Sequence, residues 1–204
     1  MWKLRDVLFR VIGSRTILLT EIGSRCFGDH HEGSDLDLFE VHVDPLREVL
    51  FRGPSTSGKH IQFGHVDLHS YEISQVVKEI IRGNVNFLIG VLSPVVVFST
   101  EEGSILRKVV SANVHKGFYR SIEGIVRSRL RAGSEKDIRL ARRYISLGLS
   151  MLRRGEVRLS ACRGNLEELE KAFRSSPLRE RADERELIDT VVRIRLSMAG
   201  FPEI

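Results

Sequence analysis

Two cysteines in 204 residues, Cys26 and Cys162, are too few and too far apart to frame a disulfide scaffold or a zinc site. No run approaches the roughly 18 apolar residues of a membrane span. Met1-Trp2-Lys3-Leu4-Arg5-Asp6 carries charge where a signal peptide needs an apolar centre, so the expectation is a cytoplasmic protein with no membrane partner. With one tryptophan and 7% aromatic residues, there is little ring surface to interleave with the basic residues, which argues against a dedicated platform for stacking single strands. No internal repeat or low-complexity stretch appears. The seven histidines form no metal-ligand spacing, although His65 and His69 share an alternating face with Asp67 and His30-His31 stand in a turn ahead of Asp35.

What is present is charge, unevenly placed. Residues 1–105 carry 10 Lys/Arg against 14 Asp/Glu, and residues 106–204 carry 22 against 13, so a net −4 half precedes a net +9 half. An acidic half beside a basic one suits a polyanionic partner whose reactive end meets the acids while its backbone lies on the arginines. The 42% hydrophobic content and the length allow a buried core, either as one domain or as a sheet-bearing unit plus a helical one.

The most informative stretch runs from Gly23 to Asp37. Thr16 to Ile22 reads as a buried strand ending in Gly23-Ser24-Arg25, and Asp35-Leu36-Asp37-Leu38 follows as a second strand. Glycine lets backbone approach a phosphate, successive N–H groups in such a turn make an anion-binding concavity, and Ser24 adds a hydroxyl. Arg25 offers charge to the same phosphates, or an ion pair to the turn itself.

Alternate residues of a strand share a face, so Asp35 and Asp37 project together and Leu36 and Leu38 turn the other way, toward the helices. Two like charges at that spacing call for a cation, and Mg²⁺ takes oxygen ligands together with water and substrate phosphate. A two-metal phosphoryl site generally needs a further carboxylate. Asp67, in the alternating segment His65-Val66-Asp67-Leu68-His69, supplies it if that strand neighbours the first. An Asp-x-Asp alone often marks a solvated strand face. Here the turn before it and the strand carboxylate after it give it a chemical reading.

Gly53-Pro54-Ser55-Thr56-Ser57-Gly58-Lys59 satisfies the opening of a P-loop, but His60 stands where a Mg²⁺-binding Ser or Thr belongs and Ile61-Gln62-Phe63 reads as strand. The segment is expected to be a loop between strands.

The later half reads as helices. Ser134-Glu135-Lys136-Asp137 offers a capped start, and Ile138, Ala141, Ile145, Leu149 and Leu152 fall on one face, with Lys136, Arg139 and Arg143 opposite. Lys116, Arg120, Arg127 and Arg131 make a similar stripe with few compensating acids, and both stripes are candidates for contact with nucleic acid or nucleotide phosphates. Residues 178–195 mix both signs and read as a solvated face.

Gly23-Ser24-Arg25 with Gly28, then Ser34-Asp35-x-Asp37, resembles the signature of the DNA polymerase beta-like nucleotidyltransferases. His65-Val66-Asp67 running into Tyr71-Glu72, Gly83-Asn84-Val85-Asn86-Phe87-Leu88 and Leu92-Ser93-Pro94 narrow the likeness to predicted nucleotidyltransferases associated with RNA ligase and RNA repair. The resemblance implies an α+β fold with a mixed-sheet catalytic core. It implies Asp35, Asp37 and Asp67 as ligands of two Mg²⁺ ions, with Mn²⁺ able to substitute, and Ser24 at the phosphates of a nucleoside triphosphate. The chemistry is then transfer of a nucleoside monophosphate to an acceptor hydroxyl with release of pyrophosphate, and RNA is the leading acceptor. AMP transfer to a protein partner and non-catalytic nucleotide binding stay open as alternatives. The expected division is a catalytic unit over residues 1–105, beginning with an amphipathic helix, and a basic helical unit over residues 106–204.

Overall fold

The computed structural model describes residues 15–28, 33–159 and 164–201. The expected initial helix, His30-His31 and Cys162 lie outside the described residues. The fold is α+β, with a five-stranded mixed sheet carrying helices.

Five strands form the sheet: β1 (Thr16–Glu21), β2 (Leu36–His42), β3 (Lys59–Phe63), β4 (Val66–Glu72) and β5 (Val96–Ser99), in the order β3-β4-β2-β1-β5. β1 pairs antiparallel with β2 and β5, β2 runs parallel to β4, and β3 closes a hairpin against β4. The P-loop look-alike does not join two strands, because a short helix, Leu46–Arg52, precedes it; it ends as expected, with Lys59 entering the exposed edge strand β3 rather than a helix.

The described helices are α1 (Leu46–Arg52), α2 (Ile73–Ile81), α3 (Val85–Leu92), α4 (Glu101–Ala112), α5 (Phe118–Ala132), α6 (Glu135–Arg154), α7 (Leu166–Ser175) and α8 (Glu184–Met198). Their starts follow the sequence signals. Asn84, Thr100, Ser134, Asn165 and Asp183 each accept a first-turn backbone N–H, satisfying donors that an uncapped helix leaves open. At α6, Ser134 accepts from Asp137 N at 3.1 Å, and Ala141, Ile145, Leu149 and Leu152 are buried along one face.

The main apolar cluster runs without a break from Ile17 in β1 through Phe39 and Val41 to Ile194 in α8, and so takes members from both halves of the chain. One expectation is corrected by it. Leu36 and Leu38 do not face the helical layer; Leu38 joins Leu19 and Leu68 in a small separate cluster. The helices cover the other face, where α3 packs so closely that a Cβ on Gly90 would lie 2.6 Å from the Phe39 ring, and Thr20 Oγ1 donates to Gly90 O at 2.6 Å. Strand alternation shows which residues share a face but not which face the helices choose. Asp37 therefore lies on the helix-covered side, near the start of β2.

A second correction concerns the last helix. Arg195 is not solvated; it is buried and donates at 2.5 Å to Glu72, which is fully buried, and at 2.7 Å to Ser74 Oγ. Mixed-sign helical sequence hides such a pair because the partner is 123 residues away.

Candidate active site

β2 and β4 carry the acids. Asp37 and Asp67 are partners in the parallel register, so their side chains leave the same face of adjacent strands about 4.8 Å apart. Asp35 stands just before β2 with an exposed side chain, its Oδ1 3.4 Å from His65 Nδ1. Burial pushes the Asp37 carboxyl above its ordinary range, the negative charges of Asp67 and Asp35 push it further, and His69 and Arg25 draw it back.

The Gly-Ser turn is built against that carboxylate. Ile22 N donates to Asp37 O at 2.8 Å, locking the end of β1 to the start of β2. Gly23 follows at φ +69°, and a Cβ there would lie 1.9 Å from Asp37 Oδ2. Only glycine offers both the backbone conformation and the space. Cys26 Sγ donates to Gly23 O at 3.1 Å, and burial pushes its thiol up to about 12, so it is a neutral packing group of the turn. Ser93 Oγ donates to Glu21 O at 2.5 Å and holds the strand end from behind, while Arg107 caps α3 through Val91 O and Ser93 O at 2.5 and 3.1 Å.

The opposite wall comes from the helices. Lys136, Leu140, Arg143 and Tyr144 of α6, with Asn86 and Phe87 of α3, face Gly23, Ser24, Asp35 and Asp37 across a cavity of about 700 Å³. That is room for a nucleotide-sized ligand. Tyr144 Oη donates to Asn86 Oδ1 at 2.9 Å, joining the two helices over the cleft. The Arg143 guanidinium lies 5.3 Å from the centre of the Phe27 ring, which itself packs 6.4 Å from Tyr144.

The expected residues thus divide. Gly23, Ser24, Asp35, Asp37, Lys136 and Arg143 line one cavity. Asp67 shares the face of Asp37 but does not line the cavity; its carboxylate is paired with His60 and lies 3.7 Å from Nε2 of His69, which does line it. Arg25 also falls outside the lining, with Nε 4.0 Å from Glu21. Arg139 points away and donates to Glu135 at 2.6 Å.

The stripe from Lys116 to Arg131 is more compensated than its local pattern suggested, with Lys116, just before α5, paired to Glu180 at 2.8 Å and Arg127 to Glu123 at 2.7 Å. Phe27, Asn86 and Tyr144 were not singled out as site residues in the sequence. Asn86 at least lay inside a quoted motif, whereas Tyr144, next to Ile145 at the border of an apolar stripe, gave no signal. His115 was also silent: it is buried, Nε2 donates to Ile80 O at 3.1 Å, and Nδ1 accepts from Gly117 N at 3.1 Å. Burial holds its pKa down, which keeps it a neutral structural brace.

Strand-borne carboxylates beside a Gly-Ser turn, faced by basic residues across a cleft, define a protein of the nucleotidyltransferase-like class. The comparison with known families is specific: the RNA repair pathway DNA polymerase beta family, RlaP, matches residues 6–122, and the chain belongs to it. No curated protein matches the chain. Among solved structures, a nucleotidyltransferase-like protein from Exiguobacterium sibiricum 255-15 aligns with a TM-score of 0.40 and 13% identity, over 96% of this chain and 73% of that one.

Proposed function

We propose that this chain is a divalent-metal-dependent nucleotidyltransferase that moves a nucleoside monophosphate from a nucleoside triphosphate to a hydroxyl of RNA, releasing pyrophosphate. The observation that carries this reading is the pairing of Asp37 with Asp67 across β2 and β4, beside the Gly23-Ser24 turn and opposite Lys136 and Arg143. The donor set fits magnesium. It is all carboxylate oxygen, with Asp37 and Asp67 on the same face of adjacent strands, and the raised Asp37 carboxyl, shadowed by two like charges, gains most from a cation. Asp35, Asp37 and Asp67 would hold two such ions. When bound, these supply positive charge that lowers the pKa of the attacking hydroxyl and neutralises the departing pyrophosphate.

The chain's own residues do the rest. Ser24 and the backbone N–H groups of its turn donate to the β- and γ-phosphates. Lys136 and Arg143 bring positive charge from the far wall, and the rings of Phe27 and Tyr144 give the nucleoside an apolar flank. Gly23 keeps the turn close enough for phosphates and carboxylates to share one cation. The acceptor oxygen attacks the α-phosphorus in line, and the bond to the β-phosphate bridging oxygen breaks. In this reading residues 1–105 form the catalytic unit, and the helices of residues 106–204 supply the second wall and a basic surface for the RNA backbone. The family's place in RNA repair and the +9 charge of that half support RNA as the acceptor.

The test is incubation with α-labelled nucleoside triphosphates, Mg²⁺ and either RNA or cell extract. Label on RNA, lost in Asp37→Asn, is the expected result. Label on polypeptide but never on RNA overturns the choice of acceptor, and no label anywhere overturns the enzyme.

A further inference from the structure

The hairpin at the sheet edge holds a group that a magnesium site does not use. His60 of β3 and His69 of β4 are partners in the antiparallel register, and their rings stack 4.6 Å apart with 3° between their planes. Both Nε2 atoms turn toward one oxygen, Oδ1 of Asp67. One ligand atom from each of the three residues lies within 4.8 Å of the other two, the only group of three His, Cys, Asp or Glu side chains so gathered among the described residues. His60 is exposed, and Asp67 and His69 are about one-third open to solvent, so an ion can enter.

We propose that His60, Asp67 and His69 form a site for a first-row transition cation of the zinc type, distinct from the magnesium pair and sharing Asp67 with it. The proposal rests on the reading above only in that shared carboxylate. Two imidazoles and one carboxylate form a set that suits zinc, cobalt or nickel, whereas magnesium takes oxygen ligands. Three protein ligands leave a coordination position open to water or substrate. Two paired strands set the spacing: His60 and His69 face each other, and Asp67, partner of Gln62, shares His69's face two residues back along β4. Little rearrangement is then needed to bring three donors onto one ion.

The experiment uses the full, tag-free chain without nucleotide. Zn²⁺ is titrated calorimetrically in the presence of millimolar Mg²⁺ into the parent, His60→Gln and Asp37→Asn. One tight equivalent is expected in the parent and in Asp37→Asn, and an affinity loss of roughly 10- to 100-fold or more in His60→Gln. Unchanged affinity in His60→Gln, or displacement of the zinc by Mg²⁺, overturns the site. Should His60→Gln fail to fold, the parent chain decides by itself: loaded with ¹¹³Cd and labelled with ¹⁵N-histidine, it should show two imidazole nitrogens coupled to the metal, and fewer than two overturns the proposal. Failure of nucleotidyl transfer leaves these results untouched, since Asp37→Asn is expected to abolish transfer and keep the zinc.

Discussion

Gly23 and Asp37 occupy each other's space: the only side chain that leaves the Asp37 carboxylate where it is has no Cβ at all, because one would stand 1.9 Å from Oδ2. The turn and the acid are therefore one structural unit. Gly23→Ala must push that carboxylate aside and also place a non-glycine residue at φ +69°, at a cost of roughly 1–3 kcal/mol. The expected result is a folded but less stable chain whose Mg²⁺-dependent transfer is lost. Urea denaturation alongside the labelling assay checks both; a variant with parental transfer would show that the turn and the acid act separately.

Asp37 predicts a stability gain from a loss of function. Its carboxyl is raised in the folded chain by burial and by Asp67 and Asp35, so at neutral pH, without metal, its ionised form opposes folding. The sign follows from linkage: a folded-state pKa above the unfolded one leaves destabilisation fully present above the folded value and gone below the unfolded one. Asp37→Asn should therefore raise the Tm of the metal-free chain at pH 7. The gain should vanish as pH falls below the ordinary carboxylate range, and transfer should be absent throughout. Calorimetric melts across pH test this, and a Tm gain that persists at low pH would locate the effect elsewhere.

The turn, the alternating acids and the capped helices were legible because each depends on residues close together in sequence. Glycine conformation, two-residue alternation and Ser134 at a helix start are local signals. What the sequence hid was long-range: which face of β2 the helices cover, the Arg195–Glu72 pair, and the inward turn of Lys136 and Arg143 while Arg139, on the same stripe, folds back onto Glu135. A helical stripe about 100° wide does not say where its edge meets a neighbouring element. Tyr144 sits at such an edge, and only the approach of α6 to α3 at the cleft gives it Asn86 as a partner.

Arg195→Met isolates the buried pair. It leaves the Glu72 carboxylate, fully buried, without its cation, a loss worth about 3–5 kcal/mol. For a chain of this size that lowers Tm by roughly 10 °C. Pairing it with Glu72→Gln should recover part of the loss. Recovery will be incomplete, because Glu72 Oε2 also accepts from Ser74 N at 2.7 Å at the start of α2. Thermal melts of the single and double variants measure the coupling, and additive losses would deny it.

The two faces of α6 give the sharpest functional contrast. Lys136 and Arg143 line the cavity beside Ser24 and Asp37, while Arg139 pairs with Glu135 on the outer surface. Neutralising a charge that meets a phosphate removes a charge-assisted contact worth about 1.5–3 kcal/mol, or about 10- to 150-fold in affinity. Lys136→Ala and Arg143→Ala should each weaken triphosphate binding by about that factor, and both losses should shrink with added salt. Arg139→Ala should lose less than either, since an exposed i,i+4 pair contributes about 0.3–0.5 kcal/mol. Nucleotide binding measured calorimetrically at two salt concentrations decides it. Equal losses for all three variants would mean that α6 acts through net charge alone, and not through the two residues it turns into the cleft.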